Sequence, residues 1–78
     1  MKLRTELHLR RDITITSTWQ SVTDEDFDSI KDMLLDRLQN GTGVIAVLTQ
    51  VGITEREAYV SVPRIDYIIV ETQPNGDE

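Results

Sequence analysis

The stretch Thr23 to Gly41, TDEDFDSIKDMLLDRLQNG, is the one segment of this chain with a helical pattern, and both neighbouring regions read as strand. Thr23 is a good N-cap, and Asp26 three residues later nearly completes a capping box. Asp24, Glu25 and Asp26 occupy the first turn, where carboxylates favour the positive end of the helix dipole. Gly41 can take the left-handed conformation that stops a helix, and Arg37 has the right sign for that end. Phe27, Ile30, Leu34 and Leu38 recur on one face, and Met33 and Leu35 widen the apolar stripe on its flanks.

The opposite face carries Glu25, Asp28, Asp32 and Asp36. The three aspartates are spaced i, i+4, i+8, so each lies beside a like charge, at a cost of roughly 0.2–0.5 kcal/mol per pair. One reading is a docking face for a basic partner, or partial mimicry of a nucleic-acid backbone; the other is a solvated face that keeps a small protein soluble. The same aspartates are a poor cation site, because positions one turn apart diverge by about 6 Å along the axis.

Upstream, residues 2–19 alternate. Leu3, Leu7, Leu9, Ile13, Ile15 and Trp19 share odd parity, while Lys2, Arg4, Glu6, His8 and Arg10 and then Thr14, Thr16 and Thr18 fill the even positions. This period of two is that of a strand with one buried face. Arg10-Arg11-Asp12 interrupts it, either as a bulge in one long bent strand or as the turn of a hairpin. The lack of Gly or Asn at the turn favours the bent strand. Odd parity places Trp19 on the core side, as an anchor or a lid over the helix start; the competing reading makes it a binding anchor.

Downstream, Val44 to Val51 is apolar on both parities from Val44 to Leu48, as for a strand buried on two faces. A polar turn is expected over residues 52–57, a strand over 58–62, a boundary at Pro63, and a last strand over 65–72. Residues 1–72 thus read as one α+β domain of order β-α-β-β-β, a mainly antiparallel sheet of about four strands with the helix on one face. Residues 73–78 (QPNGDE) read as a flexible acidic tail. The alternative is a small, strongly bent barrel. In architecture the strand–turn–strand–proline–strand run from Val44 to Thr72 resembles SH3- or Sm-like barrels, without any family motif.

At 78 residues the chain has a marginal core, and without cysteine it has no disulfides, thiolate metal sites or thiol nucleophiles. Oligomerisation is the remaining common source of stability. The last strand supports this: Ile65, Tyr67 and Ile69 point one way and Ile68 and Val70 the other, so one set needs a second layer, most simply a second copy of the chain. A formal charge of −6 argues against general nucleic-acid binding. No apolar run is long enough to span a bilayer, and a cytoplasmic location is expected.

No phosphate loop, dinucleotide fingerprint or paired-histidine motif is present, and His8 is the sole conventional base. No catalytic, cofactor-binding or metal-binding residues are assigned. Three functions compete. The first is a small non-enzymatic protein-binding, accessory or inhibitor module, viral for instance, acting as a homo-oligomer through its acidic helix or a strand edge. The second is a small-ligand or nucleic-acid binder using the basic first strand, with Arg4, Arg10, Arg11 and Trp19 in contact with an anion. The third, ranked lowest, is an enzyme whose site forms between chains from His8, Arg64, Asp66 and Tyr67.

Overall fold

A computed structural model describes residues 1–74. One α-helix, α1 (Asp24–Asn40), stands among six strands: β1 (Lys2–Leu9), β2 (Ile13–Thr16), β3 (Gln20–Ser21), β4 (Val44–Val51), β5 (Thr54–Ser61) and β6 (Ile65–Gln73). A 3-10 turn at Val62–Arg64 links the last two. Every strand pairing is antiparallel. In one sheet β1 is central, with β6 along one edge and β2 and then β3 along the other; β4 and β5 form a second, two-stranded sheet. The fold is α+β.

The helix ends where its sequence says. The Thr23 hydroxyl accepts from the Asp26 N–H at 3.1 Å, and Gly41, at φ 68°, donates its N–H to the Arg37 carbonyl at 3.0 Å. Packing is narrower than the periodicity predicts. Leu34 is buried and Ile30 half-buried, but Met33 and Leu35 are exposed. The helix meets mainly β4, and so thin a support covers only the centre of the apolar stripe.

Residues 2–16 form a hairpin and not a bent strand. β1 and β2 pair from Glu6↔Thr16 to Leu9↔Ile13, and the intervening turn holds Arg11 and Asp12 at φ 69° and 60°. Two consecutive left-handed residues are what a type I′ turn requires. Here non-glycine residues accept that conformation, and the backbone cost is offset by the ladder on either side. The second hairpin is more conventional. Val51 pairs with Thr54 across Gly52-Ile53, and only Gly52 of the two has positive φ, the type II′ pattern. β5 therefore starts at Thr54, several residues before the strand expected from Ala58. Pro63 sits in the 3-10 turn, where its fixed φ suits the corner between the two sheets.

The core lies between the sheets and under the helix: Leu7, Leu34, Ile45, Val47, Val60 and Val62, with Leu3 also buried. Ile15, Ile65, Ile68 and Val70 pack against it. The Thr18 N–H to Leu48 carbonyl bond, 2.9 Å, ties the sheets together beyond the 3-10 corner.

Two one-residue bulges reset the alternation. Between Glu6↔Thr16 and Leu3↔Gln20, three steps on β1 face four on the other segment. Ser17 fills the irregularity: its hydroxyl accepts the Thr5 N–H at 2.9 Å and its own N–H reaches the Thr5 carbonyl at 2.8 Å. A one-residue slip sends each later side chain to the other face. Trp19, expected on the core side with Leu3 and Leu7, is therefore on the outer face. The second bulge is in β6, where Leu9↔Ile65 and His8↔Tyr67 leave Asp66 unmatched. Ile65 consequently joins Ile68 and Val70 toward the core, and Tyr67 and Ile69 face outward, exposed. The expected self-interface set of Ile65, Tyr67, Ile68, Ile69 and Val70 is thus divided between two faces. Gln73, expected to open the tail, ends β6; residues 75–78 lie outside the described residues.

Candidate functional site

Four surfaces carry the chemistry of the chain. On α1, Glu25, Asp28, Asp32 and Asp36 are all exposed, and no ion pair engages them among the described residues. The basic first strand does find a carboxylate, on β6.

That pair lies on the outer face of the first sheet. Arg4 and Glu71 are cross-strand partners. Arg4 Nη2 donates to both Glu71 oxygens, at 2.9 and 3.0 Å, and Nε approaches Oε1 at 3.3 Å. The guanidinium also lies 4.5 Å from the centre of the Trp19 ring. Two same-face positions further along β1, His8 stacks on Tyr67 with ring centres 4.3 Å apart and planes 11° apart. His8 Nδ1 is 3.4 Å from the Thr14 hydroxyl, while Nε2 is buried without a hydrogen-bond partner, 3.5 Å from a Glu6 carboxylate oxygen. Arg4 and Trp19 therefore belong to a structural cluster whose cation is already matched.

The third surface is the outward face of the β4–β5 hairpin. Ile45 and Val47 are 2% and 8% exposed, yet Val44 and Leu48 on the other side are 48% and 38% exposed. Two-sided burial of this strand was expected; only one side is covered. Tyr59, across from Ala46, is 68% exposed. Glu57, two residues away on the same face, hydrogen-bonds the phenol and repels its anion, so the Tyr59 pKa is raised above its usual 10.0. Beside the helix an open crevice of about 300 Å³ is lined mainly by apolar groups, among them Ile30 and Met33 of α1 and residues from both sides of β4, Ile45 as well as Leu48.

The fourth surface is the tip of the first hairpin. Arg10 and Arg11 surround a depression of about 370 Å³ with Leu9, Ile13 and Arg64. The Arg10 N–H donates to the Arg64 carbonyl at 3.2 Å, which holds the two segments together. The four expected anion contacts are thus separated: Arg10 and Arg11 sit here, and Arg4 and Trp19 elsewhere. Arg64 was not among them; nothing in the spacing of residues 10 and 64 announces their proximity, which follows from the β1–β6 ladder.

Of the residues proposed for an intersubunit enzyme, the structure brings His8 and Tyr67 together and sets Asp66 and Arg64 beside Arg10 instead. His8 is stacked against Tyr67, Asp66 faces Arg10 at 4.0 Å, and Arg64 is at the tip. Among the described residues no group of three or more His, Asp or Glu side chains is placed to hold a metal ion, and no helix is long and apolar enough to cross a membrane. Comparison with known proteins found no matching family model, curated protein or solved structure.

Proposed function

We propose that this chain is a non-enzymatic protein-binding module, an accessory or inhibitor protein that self-associates and offers its acidic helix to a basic partner. The observation that carries the reading is the one-sided burial of β4. A strand whose inner residues form the core exposes Val44, Ala46 and Leu48 outward beside Tyr59. Burying a Val- or Leu-sized side chain yields about 1.5–3 kcal/mol, so an apolar strip of this kind is a strong drive to association. Tyr67 and Ile69 on β6 offer a second apolar contact. A second copy is the natural occupant, since closed two-fold dimers dominate among soluble oligomers.

The carboxylates of Glu25, Asp28, Asp32 and Asp36, which no ion pair engages among the described residues, then supply charge complementarity to a basic partner, which acts chiefly on encounter rate and selectivity. Light scattering on a sizing column at two concentrations tests the first half. A mass at least twice the 8.9 kDa chain is expected, falling to the monomer in Leu48→Lys or Tyr59→Lys. A monomer at both concentrations would remove self-association. For the second half, binding of a lysine-rich peptide is expected to weaken in Asp28→Lys and Asp32→Lys but not in Glu55→Lys. Equal loss in all three would reduce the helix face to bulk charge.

A further inference from the structure

We propose that the tip formed by Arg10, Arg11 and Arg64 is a binding site for a small phosphorylated molecule that has an apolar body. The depression between these residues is about 370 Å³, within the size range of small-ligand sites. Three of its five lining residues are arginines, in a chain whose net charge is −6. The other two, Leu9 and Ile13, are apolar, and Ile13 is exposed.

The guanidinium groups come from two segments that the Arg10 N–H to Arg64 carbonyl bond holds in register. The backbone at Arg11 is also set in advance, because Arg11 and Asp12 both occupy the left-handed region, at φ 69° and 60°. Non-glycine residues held there store strain, which concentrates at functional sites. Charge neutralisation is slight. Arg10 Nε approaches Asp66 Oδ1 only to 4.0 Å, with both side chains largely exposed, and Arg11 and Arg64 face no carboxylate at salt-bridge distance among the described residues. Arginine forks match phosphate oxygens in pairs, and the Leu9–Ile13 floor suits the apolar remainder. Arg4, bound to Glu71 under Trp19, takes no part.

Phenyl phosphate is the probe, with inorganic phosphate and benzyl alcohol beside it to separate the anionic from the apolar contribution. In an NMR titration of the full chain, phenyl phosphate is expected to give saturable shifts confined to residues 9–13 and 64. Inorganic phosphate should bind more weakly at the same residues, and benzyl alcohol should not saturate. Arg11→Gln and Arg64→Gln are each expected to weaken phenyl phosphate about tenfold, the loss of a charge-assisted pair. Arg56→Gln, on the other hairpin, should leave it unchanged. Shifts that fail to saturate, or that Arg56→Gln diminishes equally, would overturn the proposal. The variants alter solvent-facing side chains, and an unchanged amide spectrum elsewhere establishes that they fold.

Discussion

Arg4 on β1 and Glu71 on β6 are joined by two hydrogen bonds from one guanidinium nitrogen, at 2.9 and 3.0 Å, and the same guanidinium covers the Trp19 ring. The pair locks the central strand to its neighbour on a face that has no second layer. Both side chains remain about a third exposed, so solvent screens the interaction. Glu71→Gln is expected to lower stability by about 0.5–1 kcal/mol, and Trp19→Ala by a similar amount through the cation–π contact. Arg4→Lys should lose the paired geometry and resemble Glu71→Gln. Urea denaturation of Arg4→Lys, Glu71→Gln and the variant carrying both checks this; strict additivity would mean that Arg4 and Glu71 are not coupled.

Leu7 is 0% exposed at the centre of β1, whereas Leu35 on the helix is half exposed. Leu7→Ala is expected to cost about 3–5 kcal/mol, transfer free energy plus the cavity left behind. That is a large part of the roughly 4–12 kcal/mol that a chain of this size has in total. Leu35→Ala should change stability by less than about 0.5 kcal/mol in the monomer. Thermal unfolding of the two variants distinguishes them, and equal losses would place Leu35 in a contact that the isolated chain does not make.

The two hairpin turns predict opposite effects. At Gly52 an added Cβ would meet no atom within 4 Å, so Gly52→Ala is penalised only by the left-handed backbone at φ 62°, about 1–2 kcal/mol. Asp12 already bears a smaller version of that cost at φ 60°. Asp12→Gly should therefore stabilise the chain by about 0.5–1 kcal/mol, relief of strain less the entropy of glycine. Urea midpoints for the two variants should move in opposite directions.

Tyr59 is expected to ionise above pH 10.0, because Glu57 holds its proton and repels its anion. The pKa is raised in the folded state, so the associated stabilisation is complete below the unfolded value near 10 and fades as pH rises through the raised value. In a Tyr67→Phe background, where Tyr59 is the remaining tyrosine, absorbance at 295 nm should report one late transition. Glu57→Gln should bring it back toward the usual value. A transition that ignores Glu57 would show that the two side chains do not interact in solution.

Much of this architecture is written in short-range chemistry. Thr23, the first-turn carboxylates and Gly41 delimit the helix because a cap involves only a side chain and the backbone within three or four residues. The alternation of Leu3, Leu7 and Leu9 marks a strand with one covered face, and the apolar run Val44 to Leu48 marks another strand, although its double parity predicts two covered faces and only one is covered. The acidic row at Glu25, Asp28, Asp32 and Asp36 could be read directly, since neighbours on a helix are determined by spacing alone.

What only the tertiary structure decided are the relationships that depend on a partner strand. Whether Arg10-Arg11-Asp12 bulges or turns is settled by the Glu6–Leu9 ladder, which holds two non-glycine residues in a conformation they rarely adopt alone. A bulge at Ser17 turns Trp19 outward over Arg4, and a bulge at Asp66 turns Ile65 inward. Neither is marked by glycine or proline, because each exists only relative to the strand opposite. The meeting of Arg10 with Arg64 has the same origin. Local sequence determines which elements form, whereas register, set by many weak cross-strand contacts acting together, determines which side chains share a face.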